Sequence, residues 1–193
     1  MKAKLILITL AVATTLSVGC AQQPVPVPVP VPTPVPVVTP APEVKSDVVT
    51  TASIVDNSAA FEKAISKDGT WIIAIVNDLT VDKDMVLDGE FLNGKKDDAG
   101  KDIIQRKVAL YAQDAERNIT ARYTLTAPKL TINSPEASIQ HGTFKGDVYV
   151  TVKNFKLIDA TVDGNIYFTN EEAKATFTAD DKSTVTGVQE LQK

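Results

Sequence analysis

The octapeptides TFKGDVYV (143–150) and TVDGNIYF (161–168) superpose at an offset of 18 residues. Gly146 falls on Gly164, Val148 on Ile166, Tyr149 on Tyr167 and Val150 on Phe168. A further step of 18 back from Val148 and Val150 reaches Leu130 and Ile132 in KLTIN, and Ile139 maps onto Leu157 in the same way. Side-chain types that return at a fixed period near 20 residues are the mark of stacked coils. One coil cannot bury its inner face alone; stacking joins the inner faces into a common core. Glycines at matching positions suit corners where φ turns positive. The competing arrangement, an antiparallel sandwich or open barrel, also uses short strands and regular turns, but does not require the same residue type 18 positions on. The repeat therefore predicts an all-β domain over residues 70–193, a short single-stranded parallel β-helix (a β-solenoid). Between Thr70 and Gly187 there is room for about six coils of roughly 18 to 22 residues.

Ahead of the repeat lies DNSAAFEKAISKDG (56–69), the clearest helical pattern in the chain. Asp56, Asn57 and Ser58 offer N-cap oxygens, Ala60, Phe61, Ala64 and Ile65 share one face, and Gly69 supplies a stop. It predicts a capping helix over 56–69. The apolar run TWIIAIV and the alternating LTVDKDMVL then read as strands, and strand patterns continue to the C-terminus with no second convincing helix. The stretch FLNGKKDDAGKDIIQRK (91–107) is polar and rich in both charges, and it reads as a loop projecting from one coil. A helix leading into an apolar strand and then stacked coils resembles the parallel β-helix of pectate-lyase-like proteins, and also the small polymer-forming bactofilin class. The resemblance covers roughly residues 56–188 and is one of pattern. It implies a right-handed coil, which the repeat alone does not.

The first 55 residues have a different composition. Lys2 and Lys4 precede an apolar run from Leu5 to Leu16, and Ser17, Val18 and Gly19 close it before Cys20, the chain's single cysteine. This is the order of a secretory signal (1–19), too short for a bilayer span, which takes roughly 20 apolar residues. LSVGC resembles the lipobox of bacterial lipoproteins. That resemblance implies cleavage before Cys20, diacylglyceryl transfer to its thiol, palmitate among the acyl groups, and a lipidated N-terminus over 20–23. It also implies location in the cell envelope, on the outer membrane where the organism has one and otherwise on the outer face of the cell membrane. More than one acyl chain makes such anchoring stable. The alternative is a plain signal peptide with an incidental cysteine.

From Pro24 to Pro42 there are nine prolines in nineteen residues, mostly as Pro-Val pairs. Proline fixes φ and drives the preceding residue away from the α region, so this run is expected to form a polyproline II rod of ~60 Å. With the Ser/Thr/Val-rich segment after it, it forms a stalk over 24–55. A docking site for a polyproline-binding partner is the other reading of the same run.

Candidate chemistry is sparse. A lone cysteine excludes an intrachain disulfide, and a single histidine, His141, leaves zinc clusters and histidine-based triads short of parts. The lyases of the resembled fold hold calcium on carboxylates and use a basic side chain to remove a proton. Here Asp97, Asp98 and Asp102 with Arg106, Arg117 and Arg122 are the raw materials, but DDAGKD lacks the spacing of a calcium loop. They read as solvated surface charges. Asp159 and Asp163 lie four apart, as a paired-carboxylate hydrolase would need. Yet Asp163 matches Lys145 across the repeat, which points to pairing between coils. His141, before Gly142, reads as a passive residue at a corner. Tyr149 and Tyr167 form an exterior ladder if their neighbours point inward, a stabilising stack that also makes a glycan platform. NIT at Asn118 matches a glycosylation acceptor only formally in a bacterial lipoprotein.

No catalytic, cofactor-binding or metal-binding residues are assigned, and no cofactor is expected. Loss of the leader removes Lys2 and Lys4 and moves the net charge from −4 to −6. That disfavours nucleic acid and polyanionic substrates but is compatible with neutral sugars. The expected function is a lipid-anchored envelope scaffold or interaction module that binds envelope polysaccharide, another envelope protein or copies of itself. The alternative is a small carbohydrate-active β-helix enzyme, a lyase or hydrolase, which would gather Asp97, Asp102 and Arg106 around a cleft.

Overall fold

A computed structural model describes residues 52–192. The leader, Cys20 and nearly all of the Pro-Val stalk lie outside the described residues. In chain order the elements are β1 (Ala52–Val55), α1 (Ser58–Ile65), β2 (Ile72–Ile75), β3 (Leu79–Thr80), β4 (Met85–Leu87), β5 (Leu92–Lys96) and β6 (Asp102–Ile104). Next come β7 (Arg106–Ala109), β8 (Tyr111–Gln113), β9 (Ile119–Arg122), β10 (Thr124–Ile132), β11 (Ala137–Gln140) and β12 (Thr143–Val150). The chain ends with β13 (Lys156–Ile158), β14 (Thr161–Asp163), β15 (Ile166–Phe168), α2 (Glu171–Thr176), β16 (Thr178–Ala179), β17 (Thr184–Val185) and β18 (Gln189–Leu191).

The fold is all-β with parallel sheets. One six-stranded sheet runs β1-β2-β7-β11-β13-β16, every pair parallel. A second, eight-stranded sheet is centred on β10 and β12, whose ladder shifts register between Thr126 and Lys129. Before that bend lie β3, the first half of β10, the first half of β12, β14 and β17. After it lie β4, the second halves, β15 and β18. Antiparallel pairing is confined to two hairpins, β5–β6 and β8–β9. A sandwich of antiparallel strands is therefore not how the repeat is used.

The 18-residue offset is the strand register itself. Val148 pairs with Ile166, Tyr149 with Tyr167, Val150 with Phe168, Leu130 with Val148 and Ile139 with Leu157. The repeat also fixes the corners. Positive φ occurs at Glu136 (53°) and Asn154 (60°), at His141 (60°) and Asp159 (48°), and at Gly146 (136°) and Gly164 (158°), each pair 18 residues apart. Non-glycine residues rarely adopt such φ values, so their recurrence at one period shows the same turn built twice. Inward-pointing Leu125, Leu130, Ile132, Phe144, Val148, Val150, Val162, Ile166 and Phe168 join Ile73, Val108, Ile139 and Leu157 in one buried cluster. Each such side chain contributes roughly 1.5–3 kcal/mol by leaving water.

Departures from the sequence expectation have local causes. From Thr70 onward the chain passes five times through the six-stranded sheet, not six, because the two hairpins lengthen two of the turns. Ile73 pairs with Val108 and Val108 with Ile139, offsets of 35 and 31, against 18 from Ile139 to Leu157. The sixth strand of that sheet is β1, formed by Ala52–Val55 at the end of the segment read as stalk. The polar stretch 91–107 is largely the β5–β6 hairpin.

Helix α1 starts where expected: the Asn57 side chain accepts from the Ala60 amide at 2.9 Å, and Phe61, Ala64 and Ile65 are buried. It stops at Ile65 rather than Gly69 because its last carbonyls are taken by other donors. Arg106 donates to the Ala64 oxygen and the Asp88 amide to the Ile65 oxygen, while the Asp68 amide turns to the Ser66 hydroxyl. Helix α2 falls where the sequence carries no helical pattern. It has six residues, an Asn170 cap and one buried side chain, Ala173. By lengthening its turn it moves the final register to 23, with Ile166 against Gln189, which is why the repeat fades after Phe168.

Candidate functional site

The outer face of the second sheet, on the N-terminal side of its bend, carries threonine in two ranks. Thr124, Thr143, Thr161 and Thr184 are in register on adjacent strands, and Thr80, Thr126, Lys145 and Asp163 form the rank beside them. Strand alternation produces this: Leu125, Phe144 and Val162 point inward, so the residues on either side of each point out. The ranks, all but Thr184, floor a groove of about 670 Å3 that reaches from Asp78 and Leu79 at one end to Thr186 at the other. The hydroxyls of Thr80, Thr124, Thr126, Thr143 and Thr161 have no protein hydrogen-bond partner among the described residues. The groove's two central charges face each other, Lys145 Nζ lying 3.6 Å from Asp163 Oδ2. At the C-terminal end the Thr186 hydroxyl takes the Gly164 amide at 3.1 Å.

No protein-family model, no curated protein and no solved structure matches this chain.

Past the bend, Tyr149 and Tyr167 do stack, with ring centroids 5.0 Å apart and planes tilted by 41°. Lys129 Nζ sits 5.4 Å from the Tyr149 centroid and pairs with Asp84 at 2.6 Å. Partial desolvation, helped by the nearby Asp147 carboxylate, raises the Tyr167 hydroxyl above its usual pKa. Neither tyrosine lines the threonine groove.

The remaining candidates are dispersed. Asp97 holds the tip of the β5–β6 hairpin, its carboxylate accepting from the Ala99 and Lys101 amides. Asp102 pairs with Lys96 at 2.8 Å across the same hairpin, and Asp98 is exposed beside it. Arg117 occupies the left-handed position, φ 69°, in the β8–β9 turn, where Asn118 donates to the Asp114 carboxylate. Arg106 corrects its sequence reading. It is fully buried, with Nη2 donating to the Ala64 and Ser66 carbonyls at 2.8 and 3.0 Å and the guanidinium 3.8 Å from the Phe91 ring centroid. Burial lowers its pKa to about 10, with nearby Asp88 working against the fall. Its role is to end α1 and to hold the hairpin's Phe91 against the domain. Asp97, Asp102 and Arg106 thus have separate tasks. Among the described residues no three His, Cys, Asp or Glu side chains group to hold a metal ion.

One charged constellation does form. Asp159 Oδ2 accepts from Arg122 Nη2 at 2.5 Å and lies 3.0 Å from His141 Nδ1, and the Tyr111 ring meets the His141 ring edge-on with centroids 4.6 Å apart. Asp159 and His141 are the stacked corner residues, and Arg122 ends the β8–β9 hairpin, so the cluster ties hairpin to corner. Hydrogen bonding to Arg122, then to His141, holds the Asp159 carboxyl below its ordinary range. A glycosidase acid needs the opposite shift, and Asp163, four residues on, faces Lys145 instead.

The tyrosine ladder and the Lys145–Asp163 pair were legible from the repeat. The threonine groove was missed, although its signal was present in Thr143 and Thr161, which open the two superposed octapeptides.

Proposed function

We propose that the chain is a cell-envelope lipoprotein, anchored through acylated Cys20 and a Pro-Val stalk, which presents a short right-handed β-solenoid as a non-catalytic interaction module. Its α1 segment covers the first coil, and its partners are envelope polysaccharide or envelope protein. The observation that carries the solenoid is in-register parallel stacking of like residues 18 apart, with corners of positive φ repeating at the same interval. Support for binding over catalysis comes from the separate structural tasks of Asp97, Asp102 and Arg106 and from the lowered Asp159 carboxyl. Support for the anchor comes from the LSVGC sequence and the Pro-Val run that follows it. Among the described residues no helix is long and apolar enough to cross a membrane. A surface module on a rigid spacer gains reach from its stalk, since a Gly/Ser linker of equal length would fold back on itself.

The test has two arms. Intact mass of the full chain extracted from membranes is expected to show acyl addition, lost in Cys20→Ser together with membrane partition. The detergent-solubilised full chain is expected to retain envelope polysaccharide or protein from sacculus and membrane fractions without changing the length of any glycan. Unmodified Cys20 overturns the anchor. Shortened glycan products overturn the binding role in favour of a carbohydrate-active enzyme.

A further inference from the structure

The geometry points to the threonine groove as a binding site for a neutral, extended hexose polymer laid across the strands. This rests on the reading of the chain as an envelope interaction module and names the ligand class of its outer face.

Three observations carry it. The first is spacing. Adjacent parallel strands lie ~4.8 Å apart, close to the advance of one pyranose ring along an extended glycan. A chain crossing the strands therefore meets an equivalent side chain at each ring, and five strands give a floor of roughly 20 Å. The second is hydrogen-bonding capacity. Thr80, Thr124, Thr126, Thr143 and Thr161 leave their hydroxyls without protein partners, and each hydroxyl both donates and accepts, as sugar hydroxyls do. Threonine also suits the task entropically: its β-branched side chain is already stiff in a strand, so little rotamer freedom is lost on binding. The third is charge. Lys145 and Asp163 oppose each other in the groove, with side chains about half exposed (52% and 46%), and offer both a donor and an acceptor to a hydroxylated chain. The groove's remaining charge, Asp78, and the negative net charge of the whole chain repel a polyanion. A polyuronate is thereby disfavoured relative to a neutral hexose chain. The flat, shallow shape also matches an extended ligand better than a compact one.

The experiment is calorimetric titration of the full-length protein in detergent micelles with cellohexaose, a neutral β-1,4-linked hexose oligomer, and with hexagalacturonate as its charged counterpart. The variant Thr126→Val/Thr143→Val/Thr161→Val removes three hydroxyls while keeping β-branched side chains of nearly the same shape, so an unchanged melting temperature is expected. Cellohexaose is expected to bind the wild type, to bind the triple variant roughly tenfold more weakly as those hydrogen bonds are lost, and to outcompete hexagalacturonate. A Tyr149→Leu/Tyr167→Leu variant is expected to bind as the wild type does. No cellohexaose binding, equal binding by the triple variant, or loss of binding only in the tyrosine variant would overturn the assignment. Failure of this site is distinguishable from failure of the module: retention of envelope material without cellohexaose binding removes the groove and leaves the module standing, whereas loss of both removes both.

Discussion

Gly146 sits at φ 136°, and a Cβ there would lie 1.9 Å from the Ala127 carbonyl oxygen. Gly164 repeats the situation one register on, its Cβ position 2.1 Å from the Gly146 oxygen. The obstacle in both cases is backbone that cannot rotate away, so the chain stacks most closely where a side chain is excluded. Gly146→Ala is expected to destabilise the domain by at least about 2 kcal/mol, seen as a lower urea midpoint at unchanged slope. Asp159 makes a different kind of contribution. Its carboxyl titrates below the ordinary 3.8 because Arg122 and His141 stabilise the anion, so between the two values the unfolded state holds more protons. Stability from this group is therefore present above the ordinary value and lost as pH falls through the lowered one. Melting curves of wild type and Asp159→Asn are expected to diverge above about pH 4 and to converge on acidification. A constant gap down to the lowest pH would show that the ion pair carries none of the acid sensitivity.

At the scale of elements, what the sequence made legible was what stacking enforces. Val148, Tyr149 and Val150 found their partners because in-register neighbours share one environment and so take similar side chains. Helix α1 was legible at its start, where Asn57 acts through its own side chain, and not at its end, where Arg106, forty residues away, takes the carbonyl of Ser66. Helix α2 and the β8–β9 hairpin escaped notice because a single buried residue or a three-residue strand produces no periodic pattern. The groove escaped because outward-facing threonine resembles ordinary strand composition until the register is known. A modular element should also be removable in whole units. Deletion of Gly146–Asp163 joins Lys145 to Gly164 and keeps every later residue in its register, so the shortened protein is expected to fold cooperatively with a lower melting temperature. Deletion of only Gly146–Asn154 puts inward side chains at outward positions, and loss of cooperative unfolding is expected. Equal behaviour of the two deletions in thermal melts would show that the 18-residue unit has no structural meaning.

At the scale of the whole molecule, the domain has one core that is continuous through parallel strands, and the proposed function adds to it an anchor at Cys20 and a Pro-Val spacer. The proposed spacer and anchor would add reach and location, while the proposed interaction surface depends on the domain's register. That register is open to direct measurement by cysteine pairs in a Cys20→Ser background. Lys145→Cys/Asp163→Cys and Tyr149→Cys/Tyr167→Cys each place thiols on adjacent strands, where Cα atoms ~4.8 Å apart fall within disulfide range. Mild oxidation of the folded protein is expected to close both bridges rapidly, as read by loss of free thiol and by mass. Antiparallel strands over 143–150 and 161–168 could bring one of these pairs together but would separate the other, so a bridge in only one variant, or in neither, would contradict the stacked parallel arrangement.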